Sequence, residues 1–170
     1  TCSVLAVDTE ALTVSQAARR ERVIAAAMEL GAEGGYDAVQ MRDVATTAGV
    51  ALGTIYRYFS SKDHLLAASM VDWSKELEAR VTDQPPAEGS AADRVVAVIR
   101  GVTSGMEQQP KLAAAVVNAV MASDPAVVEC QREMTTTIMR VLAAPIADLP
   151  DEERDGRSEE RRVGKECWIT

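Results

Sequence analysis

Residues 41–59 read MRDVATTAGVALGTIYRYF, and their pattern decides the fold. The stretch divides into two short apolar-periodic runs with Gly49 at the joint. Val44, Ala45 and Ala48 make an i, i+1, i+4 stripe on the first run, and Val50, Ile55 and Phe59 do the same on the second. Gly49 stands where the first helix must stop and the chain must turn sharply, a position that favours φ > 0 and therefore Gly. Two helices of about two turns each, joined so tightly, make a helix-turn-helix. The second helix offers Thr54, Tyr56, Arg57 and Tyr58 on the side away from the stripe. Hydroxyls and a guanidinium on one face suit phosphates and base edges.

Working outward, Thr13 with Gln16 three residues on is a capping box, and it predicts a first helix to about Glu33. Val23, Ile24, Ala27, Met28 and Leu30 form its inward stripe, and Gly34-Gly35 ends it. Arg19, Arg20 and Arg22 are open either to solvent or to phosphate. Tyr36 to Gln40 is a linker. On the other side, Ser60 with Asp63 reads as the capping box of a fourth helix reaching about Val81, with His64 exposed in its first turn. The run TDQPPAEGS, residues 82–90, is the clearest break in the chain. Beyond it Ala91 to Gln109 is helical, with Val95, Val98, Ile99 and Val102 inward. Pro110 opens a helix to Ala122 as an N1 residue. A last helix begins at Asp124-Pro125 and ends before Pro145. These helices are rich in Ala, Val and Met, with few aromatics to fill space. Met70, Trp73, Met106 and Val120 are therefore expected to line an apolar effector cleft.

Composition narrows the function classes. Hydrophobic residues make up 47% of the 170 residues but aromatics only 4%, so the core is aliphatic helix packing. The longest apolar run, Leu112 to Ala122, falls short of the about 20 residues that a membrane span needs. Cys2, Cys130 and Cys167 are scattered and His64 is the sole histidine, which leaves no constellation for catalysis, for a metal or for a cofactor. The cysteines read as reduced thiols of a cytoplasmic protein. Net charge is −8, yet residues 15–65 carry six Arg/Lys against six Asp/Glu, whereas residues 66–156 carry eight against fifteen. The acidity lies outside the helix-turn-helix block, whose cations need only cluster on one side to meet DNA.

The segment RRERVIAAAMELGAEGGYDAVQMRDVATTAGVALGTIYRYFSSKDHLL, residues 19–66, resembles the N-terminal domain of TetR-type transcriptional regulators. The resemblance rests on AGV, then GTIYRYF, then SK with an apolar pair. It departs from the family pattern at Val39-Gln40-Met41, where a Thr is usual, and at Ala51, where a Ser is common. Loss of such a capping hydroxyl costs about 1 kcal/mol of helix stability. By resemblance, Arg42, Leu52, Gly53, Thr54, Tyr56, Tyr58 and Lys62 occupy operator-contacting positions. Gly53 would let backbone approach DNA, Thr54 and Tyr56 would bond phosphate, Arg42 would read a guanine edge, and Lys62 would hold a phosphate. Within the family the head is similar to the KstR-like repressors of sterol catabolism in actinobacteria, which implies an acyl-CoA thioester as the small apolar effector.

The expected architecture is all-α: a mobile tail (1–14), a three-helix DNA-binding head (15–61) and an incomplete helical body for effector binding and dimerisation (62–156). Residues 157–170 begin RSEERRVGKEC, which is similar to translated sequencing-adapter read-through, and are set aside as an artefactual tail. TetR-like bodies have nine helices where about seven are legible here, so the gene product is expected to be longer and to form a homodimer. Val116, Val117, Val120, Ile138, Val141 and Leu142 are then expected to stand uncovered. The expected function is sequence-specific binding of an operator in double-stranded DNA, with release by ligand. The rival is a helical interaction protein that has lost DNA binding, suggested by the neutral head and the apolar Ala51-Leu52 pair.

Overall fold

A computed structural model describes residues 13–83 and 90–147. The tail through residue 12, residues 84–89 of the expected break and residues 148–170, with Cys2, Cys167 and Trp168, lie outside the described residues. Every regular segment among the described residues is helical. In chain order these are α1 (Val14–Gly34), α2 (Met41–Ala48), α3 (Leu52–Tyr56), α4 (Lys62–Asp83), α5 (Ala91–Gln108), α6 (Pro110–Val120) and α7 (Pro125–Ala143). Short 3-10 turns cover Tyr36–Ala38 and Ala144–Ile146.

The box at Thr13 forms as expected. Gln16 N donates to Thr13 Oγ1 at 3.3 Å, and Thr13 N donates to Gln16 Oε1 at 2.8 Å. Val23, Ala26 and Ala27 are the buried face of α1, with Ile24, Met28 and Leu30 half-buried against the core. Gly35, at φ 73°, turns the chain out of α1. Gly49, at φ 64°, does the same between α2 and α3. Val44, Ala45, Ala48, Ile55 and Phe59 are all buried, so the stripes read from the sequence are the inner face of the head.

The start of α4 differs from expectation. Ser61 is the residue whose hydroxyl accepts from His64 N, at 3.1 Å, and Ser60 N in turn donates to His64 Nδ1 at 3.1 Å. The hydroxyl three residues before His64 caps the helix, and Asp63 is used elsewhere. His64 is not an exposed first-turn residue: it is 1% exposed, edge-on to Phe59 with ring centroids 5.6 Å apart. Its ring closes the bottom of the head where a water-facing side chain was expected.

Helix α4 is the axle of the molecule, packing chiefly on α7 and α6 and also on α1. Ion pairs reinforce the α4–α7 contact, Lys75 with Glu133 at 2.5 Å and Arg140 with Glu78. Arg140 holds the Glu78 carboxyl below the ordinary carboxylate range. Helix α5 is more peripheral than its stripe implied. Val95, Val98 and Val102 are half-buried and Ile99 is 46% exposed. Helix α6 opens on Pro110 as expected, and α7 on Pro125 with Asp124 as its cap. The faces expected to stand uncovered mostly do not. Val116 and Val141 are buried, Val120, Ile138 and Leu142 are half-buried, and Val117 alone of the six is exposed. The reason is that α4, α6 and α7 pack on one another and consume those faces. Cys130 on α7 is buried, and the other two cysteines lie outside the described residues.

No single helix among the described residues is long and apolar enough to cross a membrane. The conformational demand at Gly49 gives a clean test, because a Cβ there would meet nothing within 4 Å. Gly49→Ala is expected to lower stability by about 1–2 kcal/mol through the left-handed backbone alone, read from urea unfolding midpoints at constant slope.

Candidate nucleic-acid interface and effector cleft

The head is built around one buried ring. Phe59 is fully buried, and Arg20 of α1 lies with its guanidinium carbon 5.7 Å from the ring centroid. That guanidinium is fixed by Asp72 of α4, with NH1 to Oδ2 at 2.6 Å and NH2 to Oδ1 at 3.3 Å. Two parallel bonds between a guanidinium and a carboxylate set both distance and plane, so α1 and α4 are locked in register. Arg20 is therefore internal to the head and does not join the cations open to DNA. Arg19 and Arg22 remain on the α1 surface, half-buried and exposed respectively.

With the core face of α2–α3 accounted for, the opposite face carries Arg42, Thr46 and Thr47 from α2. Gly53, Tyr56 and Arg57 are also exposed there, and Thr54 is half-buried. Tyr56 is 49% exposed and Gly53 has no neighbour within 4 Å of where a Cβ would stand. Tyr58 does not belong to this face. Helix α3 ends at Tyr56, and Tyr58 N and Phe59 N both donate to the Ile55 carbonyl, at 2.8 and 2.9 Å. That tightened turn swings Tyr58 inward, where it is 5% exposed with its ring centroid 6.3 Å from that of Phe59. Leu52 is also drawn in, half-buried against the core. The apolar leading edge that favoured a head without DNA binding is thus partly internal, and Ala51 alone of the pair is exposed.

Lys62, at the first turn of α4, is half-buried and held by the linker. Its ammonium lies 3.7 Å from the centroid of the Tyr36 ring and donates to the Tyr36 carbonyl at 3.4 Å. The Tyr36 hydroxyl donates to Asp63 Oδ1 at 2.5 Å. No periodicity in the sequence singles out Tyr36 or Asp72, because both act through partners 26 residues or more away.

The second feature is a cleft of about 240 Å³ where α4, α5 and α6 meet α1. Met70 and Trp73 of α4, Met106 of α5 and Leu112 and Val116 of α6 line it, with Met28 of α1. Three of the four residues expected there are present. Val120 is not, since the cleft lies at the α5–α6 joint, by Gln108 and Gln109, and Val120 is at the far end of α6. Among the described residues no charged side chain lines the cleft. The α1–α6 contact beside it is close: a Cβ on Gly31 would come within 2.9 Å of Leu112 Cδ1, and Lys111 Nζ donates to the Glu33 carbonyl at 2.8 Å.

A short helix pair turning on a left-handed glycine, with hydroxyls and arginines outward, set on a helical body with an apolar cleft, defines a helix-turn-helix DNA-binding regulator. Comparison with known proteins agrees. The family of bacterial regulatory proteins, tetR family, matches residues 23–69. The chain is 31% identical over 156 residues to the HTH-type transcriptional repressor KstR of Rhodococcus jostii (strain RHA1), covering 92% of this chain and 72% of that protein. A crystal structure of a TetR transcriptional regulator from Rhodococcus sp. RHA1 superposes with a TM-score of 0.68 at 36% identity, covering 81% of this chain and 74% of that one. The regulator FadR from Bacillus subtilis, solved in complex with stearoyl-CoA, has the same fold, with a TM-score of 0.56 at 24% identity over 80% of this chain and 72% of that one. The chain belongs to the TetR family of transcriptional regulators. It is a regulator and not an enzyme.

Gly53 offers a test of the expected DNA contact that is separate from stability. It is helical and exposed, so Gly53→Ala is expected to raise stability by about 0.5–1 kcal/mol, and the added methyl group is expected to weaken binding to duplex DNA. Thermal melting and fluorescence anisotropy on the same samples check both halves. Unchanged DNA binding would remove Gly53 from the interface.

Proposed function

We propose that this chain is a ligand-released repressor of lipid catabolism genes, acting in the cytoplasm as a homodimer on a two-fold operator. Its effector is a small apolar molecule such as the acyl part of a CoA thioester. The observation that carries this reading is the lining of the cleft. Met28 belongs to the head, whereas Met70, Trp73 and Met106 belong to the body, so one ligand would touch both. A ligand that fits the cleft in only one arrangement of head and body shifts the equilibrium by its difference in affinity for the two. The cleft is smaller than the about 300–1,000 Å³ that enclose a whole drug-sized ligand. It therefore suits an acyl chain entering from a larger molecule. The kinship with KstR, a repressor by name, supports repression, and the stearoyl-CoA complex of the similarly folded FadR supports an acyl ligand.

On the DNA side, Thr54, Tyr56 and Lys62 bond phosphates, Gly53 admits the backbone and Arg42 reads a base edge. Tyr58 and Leu52 act from within, by holding α3 in place. A two-fold operator requires the two reading helices to stand roughly 34–36 Å apart, which is the task of dimerisation.

Two measurements test this. Lys62→Ala is expected to weaken all duplexes alike and to shrink the slope of log affinity against log salt by about one unit. Arg42→Ala is expected to relax preference at one operator position, at a cost of about 1–3 kcal/mol. Wild-type behaviour in both variants would sink the assignment. For the cleft, a medium-chain acyl-CoA is expected to quench Trp73 in a Trp168→Phe background and to release bound DNA. An effector series that leaves both signals unmoved would reduce the cleft to a packing defect.

A further inference from the structure

Lys62 and Asp63 are adjacent in sequence, opposite in charge and both in the first turn of α4, beside the reading helix. An ammonium there attracts a phosphate and a carboxylate repels it, so the benefit of one depends on the restraint of the other. A single residue from a different segment restrains both. Tyr36 sits in the 3-10 turn after α1, and its ring face lies 3.7 Å from Lys62 Nζ. Its carbonyl accepts from the same ammonium at 3.4 Å, and its hydroxyl donates to Asp63 Oδ1 at 2.5 Å. We propose that Tyr36 is a positioning residue for DNA binding, which holds the Lys62 ammonium in place with its ring and carbonyl and ties down the Asp63 carboxylate with its hydroxyl. This rests on the reading of Lys62 as a phosphate contact.

Three physical points carry the inference. An ammonium has three N–H donors, and one goes to the Tyr36 carbonyl, which leaves donors for a phosphate oxygen. A lysine stem is flexible, and a side chain ordered before the ligand arrives loses less freedom on binding. The hydroxyl–carboxylate bond is also secure at working pH. The Tyr36 phenol is pushed up to about 12, first by its bond to Asp63, then by burial and by the charges of Asp63 and Asp37. It therefore stays protonated, and a donor, throughout the neutral range. Asp63 is thereby engaged by a neutral donor, and the Lys62 ammonium by the ring and carbonyl of Tyr36.

The test uses the full 170-residue chain and a labelled duplex of random sequence, with affinity read by anisotropy at several salt concentrations. Tyr36→Phe keeps the ring and loses the hydroxyl. It is expected to weaken binding about threefold to tenfold with the salt slope unchanged, because the freed Asp63 repels phosphate while no cationic contact is lost. Asp63→Asn added to Tyr36→Phe is expected to restore wild-type affinity. Tyr36→Leu removes ring and hydroxyl but keeps the carbonyl, and is expected to weaken binding further than Tyr36→Phe and to shrink the slope by less than the about one unit lost in Lys62→Ala. Thermal melts of every variant report folding separately. If Lys62→Ala shrinks the slope while both Tyr36 variants bind as wild type, or Asp63→Asn fails to rescue Tyr36→Phe, the positioning role is overturned and the Lys62 contact stands. If Lys62→Ala leaves the slope unchanged, the phosphate contact itself falls, and the positioning role with it.

Discussion

The burial of Phe59 under the Arg20–Asp72 pair is the interaction on which the rest of the structure depends. Phe59 is the only phenylalanine in the chain. Complete burial of such a side chain is worth about 1.5–3 kcal/mol, a large share of what a small head can gather. Ile55 and Phe59 bring in the reading helix, Arg20 brings in α1 and His64 brings in the first turn of α4. The guanidinium over the ring is held by Asp72 at 2.6 Å, so the apolar contact and the ion pair fix each other. Removal of Asp72 leaves the largely buried Arg20 guanidinium without its partner, which costs more than the contact itself contributed.

Asp72 lies next to Trp73, and the two point to different tasks. Asp72 holds α1 through Arg20, and Trp73 lines the cleft with Met70 and Ser69. Helix α4 therefore belongs to the head at its start and to the body along its length, and no linker absorbs motion between them. The same economy appears at the α1–α6 contact. Gly31 admits Leu112 there because it has no side chain, and Lys111 closes the end of α1 at the Glu33 carbonyl. A wall of the cleft is thus also a wall of the head, which is the geometry that an effector needs in order to act on DNA binding at a distance.

Where the sequence was legible, it was because the signal was local. The box at Thr13, the turn at Gly49, the prolines opening α6 and α7 and the stripe of Val44, Ala45, Ala48, Ile55 and Phe59 are decided within a few residues of chain. A backbone amide at a helix start needs an acceptor three residues away, and a left-handed turn needs a residue without Cβ, whatever the rest of the molecule does. Those local demands, with the resemblance they supported, determined the all-α architecture, the helix-turn-helix and the family.

Tertiary structure alone decided which polar residues look outward. Tyr58 followed the hydroxyl-rich face in sequence but turned in, because the chain tightens after Tyr56 once Phe59 must be buried. His64 was expected in water and became the floor of the head, and Arg20 was open to phosphate until Asp72, 52 residues away, claimed it. Tyr36 read as linker, yet it holds Lys62 and Asp63 from across the head. Val120 lay on the right stripe of α6 but at the wrong end of the helix for the cleft. In each case the side chain's fate depends on a partner brought near by folding, and the distance along the chain to that partner follows no period. Helical spacing settles which residues share a face; the packing of α1, α4 and α6 settles what that face meets.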